Sequence, residues 1–222
     1  FAGRGGLPPT GEGFVVPDGG VDLLWVPGQA PVIAGPDVAP RRSGLGPGQR
    51  VLGVRLRPGV AGQLLGAPVD RIVGAQVPLD SAWACADVAP LQDELETGPA
   101  GGHPGHAVAV LSRAVARRVP ADWSPDPMVD AVVAAIRAGT PTDVGGLGPR
   151  QFRRRFTSAM GYGPATFRRI ARLDRVTELL AASPDAPLAD LAATAGYYDQ
   201  AHLNRDCRDL LGVTPGELRP VR

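Results

Sequence analysis

Gly196-Tyr197-Tyr198-Asp199-Gln200-Ala201-His202-Leu203-Asn204-Arg205-Asp206-Cys207-Arg208-Asp209-Leu210-Leu211-Gly212-Val213-Thr214-Pro215 holds a turn glycine, an amphipathic run, a stop glycine and a proline-led restart. The run predicts a helix that Gly212 ends, followed by a last turn that Thr214 caps with Pro215 at its first position. The same grammar occurs 51 residues earlier. Phe152 falls on Leu203, Arg154 on Arg205, Phe156 on Cys207, Gly161 on Gly212, Pro164 on Pro215, Phe167 on Leu218 and Arg168 on Arg219. Both stop glycines and both helix-starting prolines coincide at one offset, which marks a duplicated supersecondary unit.

Each unit carries a helix with two unlike faces. In the first, Phe152 and Phe156 point inward at i, i+4, while Arg150, Arg153, Arg154 and Thr157 share the opposite face. In the second, Leu203, Cys207 and Leu210 form the inner stripe, and Ala201, Asn204, Arg205 and Arg208 the outer one. Leu188, Leu191, Ala192 and Gly196 precede the second helix. A small residue four positions before a turn glycine suits two helices that cross closely and steeply. That is helix-turn-helix geometry, in which the second helix enters a DNA major groove.

Outward from the repeat, the chain reads as all helix from Asp126 to its end. Met128, Val129, Val132, Val133 and Ile136 share a helical face, and a helix from Pro164 to about Ala182 joins the two units. Trp123-Ser124-Pro125-Asp126-Pro127 is the best boundary, with two prolines and capping residues ahead of a periodic run. Before it, short strands are expected at 14–16, 21–26, 31–34 and 51–57, with Pro17-Asp18-Gly19-Gly20 as the turn between the first two. One or two helical turns follow at 59–65, then helices at 80–97 and 105–119. In the last of these Val108, Leu111, Val115 and Val119 recur at helical spacing. The expectation is an α+β chain: a β-rich N-terminal part with helices over 1–122, and an all-α part over 126–222. The latter divides into units at 128–163 and 184–219 and a linker helix at 164–182.

Composition narrows the function classes. The 222 residues include 30 Gly and 24 Pro, concentrated in the N-terminal two-thirds, and all 23 basic residues are Arg. Any bound anion is therefore met by guanidinium forks. Net charge is +1 overall but uneven: residues 149–175 carry +7 and residues 178–217 carry −5. Cys85 and Cys207 stand apart with no paired spacing, which argues against a disulfide framework or zinc site and fits a reduced cytoplasmic setting. No apolar run is long enough to span a bilayer.

The stretches Arg153-Arg154-Arg155-Phe156 with Gly161-x-x-Pro164, Arg172-Leu173-Asp174-Arg175, Leu188-Ala189-Asp190-Leu191-Ala192, Gly196 to Leu203, and Gly212-Val213-Thr214-Pro215-Gly216-Glu217-Leu218-Arg219 together resemble the AraC/XylS-type DNA-binding domain. Residues 16–25 and 53–59 resemble the N-terminal domain of one branch of that family. The resemblance implies a transcription regulator with two recognition helices on one face of double-stranded DNA, in major-groove segments ~34 Å apart. Carried over by position, Arg150, Arg153 and Arg154 face bases or phosphates from the first unit, and Gln200, Asn204 and Arg205 from the second. Arg reads guanine edges bidentately, and Gln or Asn reads adenine. Arg168 sits near the backbone. Thr214 either leaves N–H groups for a phosphate or serves as a structural cap. A small-molecule effector at the N-terminal part is expected, with Asp22, Trp25 and Arg55 as candidate contacts. RNA polymerase and a second copy are expected partners; a membrane, a metal, another cofactor and enzymatic activity are not.

The chain departs from the family pattern between Ile136 and Arg150. A full helix is usual there, but this sequence has two adjacent glycines, Gly145-Gly146, and a Gly148-Pro149 pair. Glycine costs roughly 1 kcal/mol in a helix interior. The first unit is thus expected to lack part of its leading helix and to brace its recognition helix less rigidly. The first unit would anchor on phosphates and the second refine sequence choice. His103-x-x-His106 has no partners at ligand spacing, and Gly44-x-Gly46-x-Gly48 lacks the residues of a phosphate loop. His202 either packs, touches the backbone or reads a base. Asp18 reads as a turn residue, and Asp22 is open between a pocket and an acid role. The competing reading is a small-molecule-binding or catalytic N-terminal domain whose degenerate helix-turn-helix serves protein contacts.

Overall fold

The computed structural model describes residues 14–46, 48–97, 104–142 and 145–219. The fold is α+β. The strands are β1 (Phe14–Val15), β2 (Val21–Trp25), β3 (Val32–Ala34), β4 (Arg41–Arg42), β5 (Leu52–Leu56) and β6 (Gln76–Pro78). Four form an antiparallel sheet in the order β5-β2-β3-β6, and β1 pairs with β4 as a separate ribbon. The four strands expected from sequence are all present. β4 and β6 are additions, at two and three residues too short to give a period.

Alternation on β2 assigns the two faces of the sheet. Val21, Leu23 and Trp25 are buried, with Asp22 and Leu24 between them on the other side. The buried face joins Ile33 and Leu56 and is covered by α1 (Val60–Leu65), α2 (Leu79–Ala82), α3 (Cys85–Thr97) and α4 (Pro104–Arg118). The inward stripe of α4 is Ala107, Val110 and Leu111 rather than one built on Val108, Val115 and Val119. The small Ala107 side chain lets the helix approach the sheet, and the valines sit half-buried at its edges.

The helical part has its own core. Asp126 caps α5 (Pro127–Ala138), its carboxylate accepting from Met128 N at 3.0 Å and Val129 N at 3.4 Å. α6 (Pro149–Met160) and α7 (Pro164–Ala182) each begin with proline at the first position. The face of α7 carrying Phe167, Ile170, Leu173, Val176 and Leu180 runs through the core as a spine. α8 (Leu188–Thr194) and α9 (Gln200–Leu211) follow, and 215–218 forms a hydrogen-bonded turn. Phe152, Phe156 and Phe167 stack at successive centroid distances of 5.9 and 5.8 Å.

The two cores touch. Val16 packs against the helical core, and the single 3-10 turn Val69–Ile72 lies against α6. Among the described residues, no helix is long and apolar enough to cross a membrane.

Candidate nucleic-acid interface and ligand cavity

The second unit is self-contained. α8 packs on α9 through the buried Leu191 and Ala192, and the turn between them passes through Gly196 at φ 84. Asp199 caps α9, accepting from His202 N at 2.7 Å. Leu203, Cys207 and Leu210 face inward, and burial pushes the Cys207 thiol up to about 12, so it behaves as an apolar filler. Gln200 and Arg205 are exposed, and Asn204 half-exposed, on the outward side. His202 is half-buried and edge-on to Tyr197 at 5.1 Å, a packing position. Thr214 donates from its backbone N at 2.6 Å and its hydroxyl at 2.7 Å to the Glu217 carboxylate, one half of a capping box, so both of these donors are already engaged with an anionic group.

In the first unit, Arg150, Arg153 and Arg154 are all exposed on α6, while Phe156 and Met160 are buried. Arg155 is spoken for: its Nε and Nη2 donate to Asp126 at 2.9 and 2.6 Å, tying α6 to the start of α5. Arg168 donates to the Thr142 hydroxyl at 3.2 Å. α5 ends at Gly139 in the left-handed conformation, and among the described residues from there to Pro149 none is helical. The leading helix expected to be shortened is absent from those residues. The expected looseness is met from elsewhere. A Cβ added at Gly161, the C-cap of α6 at φ 85, would stand 2.6 Å from Pro36 Cγ, 3.1 Å from Val73 Cγ2 and 3.3 Å from Val69 Cγ1. The N-terminal part thus closes on the end of the first recognition helix.

The two units are held in one orientation by α7. Asp206 on α9 is buried, a placement that costs several kcal/mol for an unpaired carboxylate. Arg169 Nε donates to it at 2.8 Å and Arg172 Nη2 at 3.4 Å, while Arg169 Nη2 reaches Asp209 at 2.7 Å. Arg172 also lies 4.9 Å over the Tyr197 ring. Two of the seven acids in residues 178–217, Asp206 and Asp209, are therefore matched to guanidinium groups of the linker helix.

The outer face of the sheet bears a cavity of about 250 Å³. Asp22, Leu24, Val32 and Ala34 form its floor, and Asp37 and Arg41 one wall. Asp22 stands opposite Arg55 in the β2–β5 register, and Arg55 donates to both its oxygens at 3.0 Å while also pairing with Asp18. Burial works against the Arg55 charge, but the hydrogen bonds and charges of Asp22 and Asp18 outweigh it and hold the guanidinium protonated. Trp25 is on the opposite, core face of the sheet and does not line the cavity. Sequence reading does not single out Asp37 or Arg41; their spacing of four in a Pro-rich stretch carries no periodic signal. Nor does it single out Tyr198, 94% exposed beside the cap of α9. His106 Nε2 lies 3.3 Å from Glu94 O, and His103 lies outside the described residues.

A Helix-turn-helix domain family matches residues 143–220, and a Domain of unknown function (DUF6597) matches residues 5–78. No curated protein and no solved structure matches the chain. The first match spans both recognition helices and the linker between them, and the second spans all six of the described strands. Residues 143–220 are thus a helix-turn-helix domain of the AraC type, and the N-terminal match is one characteristic of AraC-family regulators.

Proposed function

We propose that this AraC-type regulator reads a specific operator through both units and that its N-terminal part, divided from the helical part near 123–126, responds to a small-molecule effector. It acts by binding rather than catalysis, in the cytoplasm. One observation carries the reading. Two homologous helices present exposed Arg, Gln and Asn side chains, and one helix clamps both in fixed register. The 19 residues of α7 span ~28 Å at 1.5 Å per residue, the scale of one DNA turn. Arg150, Arg153 and Arg154 supply the first half-contact, and Gln200, Asn204 and Arg205 the second. Arg168 lies toward the backbone. The effector reading is supported by the cavity that Asp22 floors and Arg55 abuts.

The experiment is selection of bound sequences from random DNA. Two half-motifs about one turn apart are expected, and an inverted repeat of that pair would report a dimer. Affinity for the selected site should fall steeply with salt. Arg154→Ala and Arg205→Ala should each lose about 1–3 kcal/mol of discrimination at their own half-motif. If both variants bind the selected site like wild type, the module serves protein contacts instead.

A further inference from the structure

The geometry points to the cavity on the outer face of the sheet as a site for a small organic cation with a short apolar body, held at Asp37 and sensed by both recognition helices through residues 36–40. This inference rests on the effector reading above and names its ligand class and its lever.

The ligand chemistry follows from the lining. Asp18, Asp22 and Asp37 face the cavity, with Arg55 pairing the first two and Arg41 the third, so three carboxylates meet two guanidinium groups, while Leu24, Val32 and Leu45 supply apolar wall. Asp37 is only 8% exposed. Among the described residues its two oxygens share a single donor, Arg41 Nε, at 2.9 and 3.1 Å. A carboxylate can accept about four hydrogen bonds, so most of this buried acceptor capacity is open to a donor arriving in the cavity. Burial pushes the Asp37 carboxyl up, with Arg41 opposing. An ammonium or guanidinium would stabilise the charged form and fill the open positions. At the mouth, Leu45 and Val51 are 36% and 43% exposed, an apolar rim for the ligand's hydrocarbon.

The lever is the strap that carries Asp37. Pro36 closes on Gly161, the C-cap of α6. Pro40 approaches Gly212, the C-cap of α9, where an added Cβ would stand 3.3 Å from Pro40 Cγ. These glycines are the matched pair of the internal repeat, so one strap touches the same point of both units. The strap is anchored at its near end, where Gly35 N donates to Ala75 O at 2.9 Å and Gly74 N to Pro36 O at 3.0 Å. A ligand that draws on Asp37 and loosens its hold on Arg41 changes how the strap bears on the two helices.

The test uses the full chain. Propyl- to hexylammonium and butylguanidinium chlorides are titrated by calorimetry and thermal unfolding, with butyrate and sodium chloride at matched ionic strength as controls. The cations should saturate and raise Tm by a few degrees, and the controls should not. Asp37→Asn should abolish the shift. Gln76→Trp, which narrows the cavity from the exposed edge strand, should weaken it even if Asp37→Asn folds poorly. Wild-type affinity for the selected DNA site should change about fivefold or more on saturation. Pro36→Ala with Pro40→Ala should retain the Tm shift and lose the effect on DNA. No cation binding, or equal binding of butyrate, overturns the site. Cation binding with unchanged DNA affinity overturns the lever. Because the ligand titration needs no DNA, its failure is distinct from failure of the DNA-binding reading.

Discussion

The two helix-turn-helix units descend from one pattern, yet they are stabilised in different ways. The second has its leading helix α8, a side-chain cap at Asp199 and an ionic tie to the linker through Asp206. The first has none of the three among its described residues: its recognition helix starts at Gly148 with no side-chain cap, and its far end is closed by Pro36, Val69 and Val73 of the N-terminal part. A unit braced mainly by its own helices and the linker, and approached less closely by the N-terminal part at Gly212 and Pro40, is less sensitive to change elsewhere in the chain. A unit completed by another part of the chain is exposed to whatever that part does.

The largest expected effect breaks this comparison at its matched glycines. Gly161→Ala combines a left-handed backbone with a 2.6 Å clash against Pro36 and should cost about 3 kcal/mol in urea denaturation. Gly212→Ala, also left-handed but 3.3 Å from Pro40, should cost about 1 kcal/mol. Equal costs would mean the N-terminal part braces both units alike. Next, Asp206→Ala should cost about 2–3 kcal/mol by leaving Arg169 and Arg172 short of their buried partner. It should also degrade the second half-motif more than the first in footprinting of the selected site. Asp199→Ala should cost about 1 kcal/mol through loss of the α9 cap, and Gly148→Ala at the equivalent position of α6, where no side chain caps, about half that.

The smallest effect concerns the joint itself. Asp174 on α7 is open to solvent on one side, yet crowding by surrounding protein pushes its carboxyl up to about 7, with Asp18 and Glu178 adding and Arg137 and Arg55 opposing. A carboxyl raised on folding favours the folded state at low pH. That contribution is complete below the ordinary aspartate range and is lost as pH rises through about 7. Solvent screening keeps it small. Asp174→Asn should therefore flatten the fall in Tm between pH 5 and 8 slightly, and an unchanged profile would remove Asp174 from the joint's electrostatics.

Much of this architecture is legible in the sequence, because it rests on local signals. The stop glycines Gly161 and Gly212, the prolines that open α6 and α7, and the Phe and Leu stripes fix helix limits without tertiary information. The absent helix before Pro149 is also legible, from glycines that disfavour it. The inward stripe of α4 is not, since Ala107 and Val108 compete and only the approach to the sheet decides. The cavity wall at Asp37 and Arg41 is beyond sequence reading too. Its residues lie in short segments, and their juxtaposition depends on β1 pairing with β4 across the 25 residues between them. Trp25 illustrates the same limit from the other side: adjacency to Asp22 in sequence places it near the acids, while strand alternation turns it to the core.

The clamp of Arg169 and Arg172 on Asp206 and Asp209 makes α7 a ruler as well as a linker. One residue inserted into its middle would advance the second recognition helix by 1.5 Å and turn it by about 100°. One base pair inserted between half-sites turns the DNA by only about 35°. The two screws do not share a pitch, so no single insertion in the protein compensates a single insertion in the operator. If both units read DNA as proposed, the distance between half-sites is part of what the molecule recognises, as strictly as the bases within them.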